Sequence, residues 1–310
     1  MSLLIDKGDD KMSFVDELVD YYDSHRKEFS SRVDEKTGFR VFKYSRHTQY
    51  DCLWNRFTRE CRGLIIDSEG QIVSYPFSKF FNYGIENEAD KFDLDEKVYA
   101  IRKINGFLAI VSVHKGQLVV STAGSLDSEY VDQIREFIDE KLWLDVLDEH
   151  YTYMFECVPE VSNHVIIEEV GLTLLGYREK VIDSPIHYHR EELSVIAEQL
   201  GCHISPIFKE TVLRDLLEEV KEVNFEGFVV YSMDGSRCVK MKGKKFLFER
   251  FLVGITEQQL EKMIARGKVE ETVEEEFIPL VRYIIEHKDE WLMMSHLERV
   301  IFVKKFLYGE

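Results

Sequence analysis

Proline is scarce in this 310-residue chain, with five residues in all, and glycine is modest at 17. That leaves little room for low-complexity linkers. Cysteine is sparse too: Cys52, Cys61, Cys157, Cys202 and Cys238 are scattered, odd in number and form no C-x-x-C pair. The pattern argues against a disulfide framework and a structural zinc site, and it suits a reducing cytosol. No apolar stretch approaches the roughly 18 residues that span a bilayer, and the first ten residues hold no apolar h-region. The expectation is a soluble, cytoplasmic, globular protein with no membrane association. Basic residues are outnumbered, 40 Lys and Arg against 58 Asp and Glu, for a formal net charge of −18. A mean field of that sign repels phosphate, which argues against non-specific coating of nucleic acid but leaves room for a local basic cleft.

What is present is a core. Apolar residues make up 45% of the chain, with 21 Phe and 15 Tyr, enough for one large domain plus a small one, or two of ordinary size. Residues 12–29 carry Phe14, Val15, Leu18, Val19 and Tyr22 at helical spacing, with Ser13 as N-cap and Glu17 near the capping-box position. Residues 59–75 read as a hairpin turning at Asp-Ser-Glu-Gly, with Arg62 at its mouth and Lys79 on the aromatic turn that follows. An Arg and a Lys on successive loops suit an anion or ordinary surface charge. Three strands are expected between 97 and 122, a helix over 127–147, strands at 151–158 and 172–178, and helices at 190–200 and 210–222. A second hairpin joins 225–231 to 237–242. Strand alternation puts Lys240 and Lys242 on one of its faces, and Val239 and Met241 on the other. From about 245 the chain reads as helical throughout. The expected class is α+β: antiparallel sheets with flanking helices over 1–254, then a small all-helical domain over 255–310.

Ala100 to Val111 sets two short apolar runs around Lys103-Ile-Asn-Gly106. A long polar side chain between apolar runs needs a partner or a ligand. Lys103 on a tight turn is a nucleophile, an anion contact or part of a plain hairpin, since Asn-Gly is a strong hairpin signal. Glu156 interrupts another apolar strand and Glu226 opens a third, so carboxylates and lysines recur in contexts where they are costly unless paired or functional. His164, His187, His189 and His203 lack a convincing metal-ligand arrangement, and His187 and His189 read as loop residues.

The order of these features resembles the covalent nucleotidyltransferases, the superfamily of DNA ligases, RNA ligases and messenger-RNA capping enzymes. Motif I is K-x-x-G, here Lys103 to Gly106. Motif III resembles Phe155-Glu156, motif IIIa Leu174-Leu-Gly-Tyr-Arg178, motif IV Glu226-Gly-Phe-Val-Val230 and motif V Val239-Lys-Met-Lys242. Arg59-Glu-Cys-Arg-Gly-Leu-Ile-Ile66, Lys79-Phe-Phe-Asn-Tyr-Gly84 and the extended stretch Phe155 to Ile166 are similar to the RNA ligase 1 group of bacteriophages. The likeness covers roughly 40–250.

The resemblance implies an ATP-dependent RNA ligase that forms a lysyl-AMP on Lys103 and joins RNA 5′-phosphate and 3′-hydroxyl ends, in RNA (tRNA) repair. It implies Lys240 and Lys242 as catalytic cations that depress the Lys103 pKa and stabilise the α-phosphate. Arg62 and Lys79 would contact phosphate, Tyr177 would stack on adenine, and Asn105 and Gly106 would line the nucleotide site. Glu226 would hold Mg²⁺ (or Mn²⁺), and Glu156 would hold the ribose or the metal. Many relatives have Asp where this chain has Asn105. The partners expected are single-stranded or loop-broken RNA ends, with no protein partner called for. The alternatives are a GTP-using capping enzyme, a DNA ligase, an inactive nucleotide- or RNA-binding module, and a hydrolase using Glu156 and Glu226. The helical tail, in place of a β-barrel, disfavours the first two.

Overall fold

The computed structural model describes residues 12–86, 91–160 and 166–308. Helix α1 (Phe14–Ser24) is capped by Ser13, and Asp16 rather than Glu17 returns the capping-box hydrogen bond, because it occupies the third helical position. Val15 and Leu18 of α1 bury against a small antiparallel sheet. That sheet runs β1 (Arg32–Val33), β2 (Arg40–Lys43), β3 (Arg62–Ile66), β4 (Ile72–Ser74) in spatial order. Strands β3 and β4 are the hairpin expected at 59–75. Short helices α2 (Arg46–Tyr50) and α3 (Arg56–Glu60) bridge β2 to β3.

The chain around Lys103 does not form the hairpin its Asn-Gly pair suggests. Strands β5 (Lys97–Lys103) and β6 (Phe107–His114) lie in different sheets. Neither Asn105 nor Gly106 has the positive φ that a type I′ turn requires. The four residues carry the chain from one sheet to the next. Strand β6 pairs with β7 (Gln117–Ser121) and β8 (Tyr151–Val158) in a five-stranded sheet completed by β9 (Gly171–Glu179) and β10 (His203–Ile204). Strand β5 lies between β11 (Phe208–Val212) and β12 (Gly227–Ser232), and β13 (Cys238–Lys242) closes that four-stranded antiparallel sheet. A Cβ on Gly106 would stand 2.4 Å from the Cys157 carbonyl oxygen of β8, so only glycine lets the crossing pack there.

The helix expected over 127–147 is two, α4 (Glu129–Arg135) and α5 (Glu140–Val146), the second capped by Asp139. With α6 (Arg190–Leu200) they bury Ile134, Trp143 and Leu193 against one face of the five-stranded sheet. The helix expected from 210 begins later, as α7 (Leu213–Glu222), because 208–212 pair with β5. Leu213, Leu216 and Val220 of α7 cover Val98, Ala100, Phe228, Val230, Val239 and Met241. Each such aliphatic burial contributes about 1.5–3 kcal/mol, so the register of β13 is firmly set. The other face therefore carries Ile101, Lys103, Val229, Lys240 and Lys242, as the alternation predicts.

Helices α8 (Lys244–Gly254), α9 (Glu257–Arg266), α10 (Ile278–Glu286), α11 (Lys288–Met293) and α12 (His296–Tyr308) follow. They share a separate core that includes Phe251, Met263, Leu280, Ile284 and Trp291. A 3-10 turn, Glu275–Phe277, leads into α10. No described helix is long and apolar enough to cross a membrane.

Candidate active site

Lys103 lies opposite Gly227 across the sheet, and Gly227 lies opposite Lys242. Two lysines thus flank one glycine on a single face. Glu226, just before it, sits between them: its Oε2 is 3.0 Å from Lys103 Nζ, and its Oε1 is 3.4 Å from Lys242 Nζ. Glu156, projecting from β8, is 3.8 Å from Lys103 Nζ and accepts the Gly106 N–H at 3.0 Å. The two sheets are joined through this cluster. Gly227 has a φ of +139°, and a Cβ there would stand 2.0 Å from the Met241 carbonyl oxygen. A side chain at 227 would separate β12 from β13 and carry Glu226 away from both lysines.

A cavity of about 190 Å³ opens on the cluster, with Arg62, Lys103, Glu156, Glu226, Lys240 and Lys242 in its wall. At its other end, the Lys240 ammonium and the Arg62 guanidinium sit over the Phe80 ring, 5.1 and 5.6 Å from its centroid. Burial, with Lys79 and Arg62 nearby, pulls Lys240 down to about 7. Lys103 behaves otherwise. Burial alone lowers its pKa, but Glu226 and Glu156 outweigh burial and hold the ammonium above its ordinary value. The depression expected from Lys240 and Lys242 is therefore absent in this state, because carboxylates stand closer. Lys242 is likewise raised, by Glu276 and Glu226 against burial. Burial raises Glu156.

Lys79 is buried, 2.6 Å from Glu275 and boxed by the Tyr44, Trp54 and Phe81 rings. It lines the neighbouring cavity with Phe77 and Phe80 rather than the Lys103 cavity itself. Lys242 pairs with Glu276, and Arg250 pairs with Glu274 at 2.5 Å. Three consecutive tail carboxylates thus meet three cations. They were missed in the sequence, where an acidic run reads as a solvated face. Phe80 was also overlooked, although it lies in the quoted Lys79–Gly84 segment.

Tyr177 is not brought to the cavity. A one-residue bulge at Leu175 opposite Met154 and Phe155 reverses the alternation of β9. Leu175 faces the cavity, while Tyr177 stacks on His187 (4.6 Å) and Tyr153 (5.6 Å). Asn105 is buried, its backbone N–H 3.4 Å from Glu168 Oε1 and its Nδ2 without a partner among the described residues. Glu168 also pairs with Arg102 at 2.7 Å. Residues 161–165 of the extended motif, His164 included, lie outside the described residues. His203 contacts the Val170 carbonyl, and no group of three or more His, Cys, Asp or Glu among the described residues is arranged to hold a metal.

This architecture is shared with solved ATP-dependent ligases. An archaeal ATP-dependent RNA ligase superposes over 95% of this chain and 79% of its own, with a TM-score of 0.56 and 12% identity. An Aquifex aeolicus protein described as an ATP-dependent DNA ligase does so over 94% and 76%, with a TM-score of 0.56 and 13% identity. At such identity the likeness is one of fold. Sequence narrows the class: the family model described as RNA ligase matches residues 60–252, and the chain belongs to the RNA ligase family. The RNA ligase of Rhodothermus phage RM378 is 25% identical over 307 residues, 75% of this chain and 69% of its own. RNA ligase 1 of bacteriophage TS2126 is 29% identical over 216 residues, 63% of this chain and 53% of its own. The chain spans about half the length of two of the curated relatives it matches.

Proposed function

We propose that this chain is an ATP-dependent RNA ligase acting on RNA 5′-phosphate and 3′-hydroxyl ends, and that Lys103 is its nucleophile. The observation that carries the reading is the Lys103 amine at the floor of a cavity, bracketed by Glu226 and Glu156 and faced by Lys240, Lys242 and Arg62. In the first step Lys103 gives its ammonium proton to solvent once Glu226 and Glu156 no longer hold it. The neutral Nζ bonds to the α-phosphorus of ATP and sheds a second proton to solvent, and the bond to the bridging oxygen breaks, releasing pyrophosphate. An oxygen of the RNA 5′-phosphate then displaces Lys103, whose nitrogen leaves protonated, giving adenylylated RNA. The RNA 3′-hydroxyl attacks the 5′-phosphate, and AMP departs.

Lys240, Lys242 and Arg62 stabilise the phosphate charge, positioning and electrostatics being most of phosphoryl transfer. Lys79 binds phosphate further out. Asn105 and Gly106 shape the floor beside Lys103. The donor set fits a hard divalent cation, since Mg²⁺ takes one or two carboxylates and completes its shell with water and phosphate. Glu226 and Glu156 would hold it, and it would supply positive charge at the α-phosphate; carboxylates so engaged would no longer pair with the Lys103 ammonium. The division near residue 254, into an adenylyltransferase domain and a helical tail, belongs to the same reading. So do RNA (tRNA) repair in the cytoplasm and broken single-stranded or loop ends as substrates.

The test is covalent labelling. Protein freed of bound AMP, given α-labelled ATP and Mg²⁺, should hold acid-labile label through denaturation, and Lys103→Ala should lose it entirely. Failure of the wild-type protein to label overturns the reading. Label from GTP alone favours a capping enzyme, and sealing of DNA but not RNA ends favours a DNA ligase.

A further inference from the structure

A second cavity of about 720 Å³ lies beside the Lys103 cavity, and Leu108 is common to both walls. Its wall comes from β1 and β2, the start of β6, the β7–α4 connection and α8. Three cations, Arg32, Lys43 and Arg250, face it, against one carboxylate, Glu129. In a chain of net charge −18 that is a local reversal of the mean field. Arg250 is paired with Glu274, but Arg32 and Lys43 have no ion-pair partner among the described residues.

One further feature points to a ligand. Tyr130, 58% exposed, meets Phe107 edge-on with centroids 4.9 Å apart, which leaves an aromatic face open in the groove. Unpaired cations for phosphates and an exposed ring for a base describe a single-stranded polynucleotide. The other flanking cavity differs in balance: its Arg178 donates to the carbonyls of Pro76 and Ser184 (3.1 and 2.6 Å), its Arg237 pairs with Glu96 at 3.2 Å, and Asp183 and Asp234 stand in its wall beside Arg59.

We propose that this groove holds the single-stranded RNA adjoining the end to be joined, with phosphates on Arg32 and Lys43 and a base against Tyr130. The inference rests on the RNA ligase reading above. The probe is a short fluorescent oligoribonucleotide with a 5′-hydroxyl and a blocked 3′ end, which cannot react. Its affinity is read by anisotropy over a range of KCl. In the double variant Arg32→Ala/Lys43→Ala, affinity falls at least tenfold, and the salt slope shrinks by about 1.4, roughly 0.7 per lost phosphate contact. In Tyr130→Ala, affinity falls about tenfold with the slope unchanged, as for a lost stacking contact. Labelling from ATP and the circular dichroism spectrum stay as in the wild type in both. Unchanged RNA affinity and slope in a double variant that folds and labels normally overturn the groove. Absence of labelling in the wild type overturns the ligase reading instead.

Discussion

The two ends of the Lys103 cavity are built from similar parts and behave in opposite ways. Lys240 and Lys242 stand two residues apart on one strand, on one face, both with largely buried side chains. At the Lys242 end, Glu226 and Glu276 surround the ammonium, and Glu226 and Glu156 do the same for Lys103. At the Lys240 end the neighbours are Arg62, Lys79 and the Phe80 ring, with one carboxylate, Glu275, held by Lys79. Burial acts against charge at both. Carboxylates reverse it at one end, and cations add to it at the other. The site is therefore polarised along its length, with its unmatched positive charge at the end away from the candidate nucleophile.

The harshest way to break this arrangement is Gly227→Ala. Positive φ and a 2.0 Å approach to the Met241 carbonyl leave no room for the methyl group. A loss of about 4 kcal/mol is expected, measured as the urea midpoint. A loss below about 1 kcal/mol would mean that β12 yields easily and does not fix Glu226. Next come Glu275→Gln and Glu276→Gln. The first leaves buried Lys79 without its carboxylate and should cost about 3 kcal/mol; the second leaves Lys242 its contact with Glu226 and should cost about 1. Equal costs would show that the two ends are electrostatically alike.

The last effect, of the same order as the Glu276→Gln cost, is a difference between two pH values. The folded-state pKa of Lys240 is lowered to about 7, so between there and the ordinary lysine value of about 10.4 the unfolded chain binds the extra proton. Its burial destabilises the fold fully below pH 7, and the penalty fades as pH rises toward the unfolded value. Lys240→Met should therefore raise stability more in acid than in alkali, by about 1–2 kcal/mol allowing for polar screening at the site. Thermal unfolding at the two extremes checks this, and an equal gain at both contradicts it.

Strand alternation made part of this site legible. The face shared by Lys240 and Lys242 follows from a period of two, and Val239 and Met241 fix which face is covered. Lys103, Glu156 and Glu226 stood out because charge inside an apolar run is costly. What escaped depends on information a local pattern does not carry. A single extra residue at Leu175 turned Tyr177 to the wrong side, and pairing with β5 claimed 208–212 from an amphipathic stretch. Asn105-Gly106 has the composition of a tight turn, but β8 decides that the chain crosses between sheets. The tail carboxylates lie 24, 34 and 196 residues from Arg250, Lys242 and Lys79, and nothing local tells a solvated acidic run from a docked one.

The run Glu274 to Glu276 gives the tail a thermodynamic consequence. Its carboxylates rest on Arg250, Lys79 and Lys242, and any polyanion drawn to Lys79 and Lys242 needs the same charges. Docking of the tail and occupancy by such a polyanion are thus antagonistic, and linkage makes the antagonism mutual, each weakening the other by one common factor.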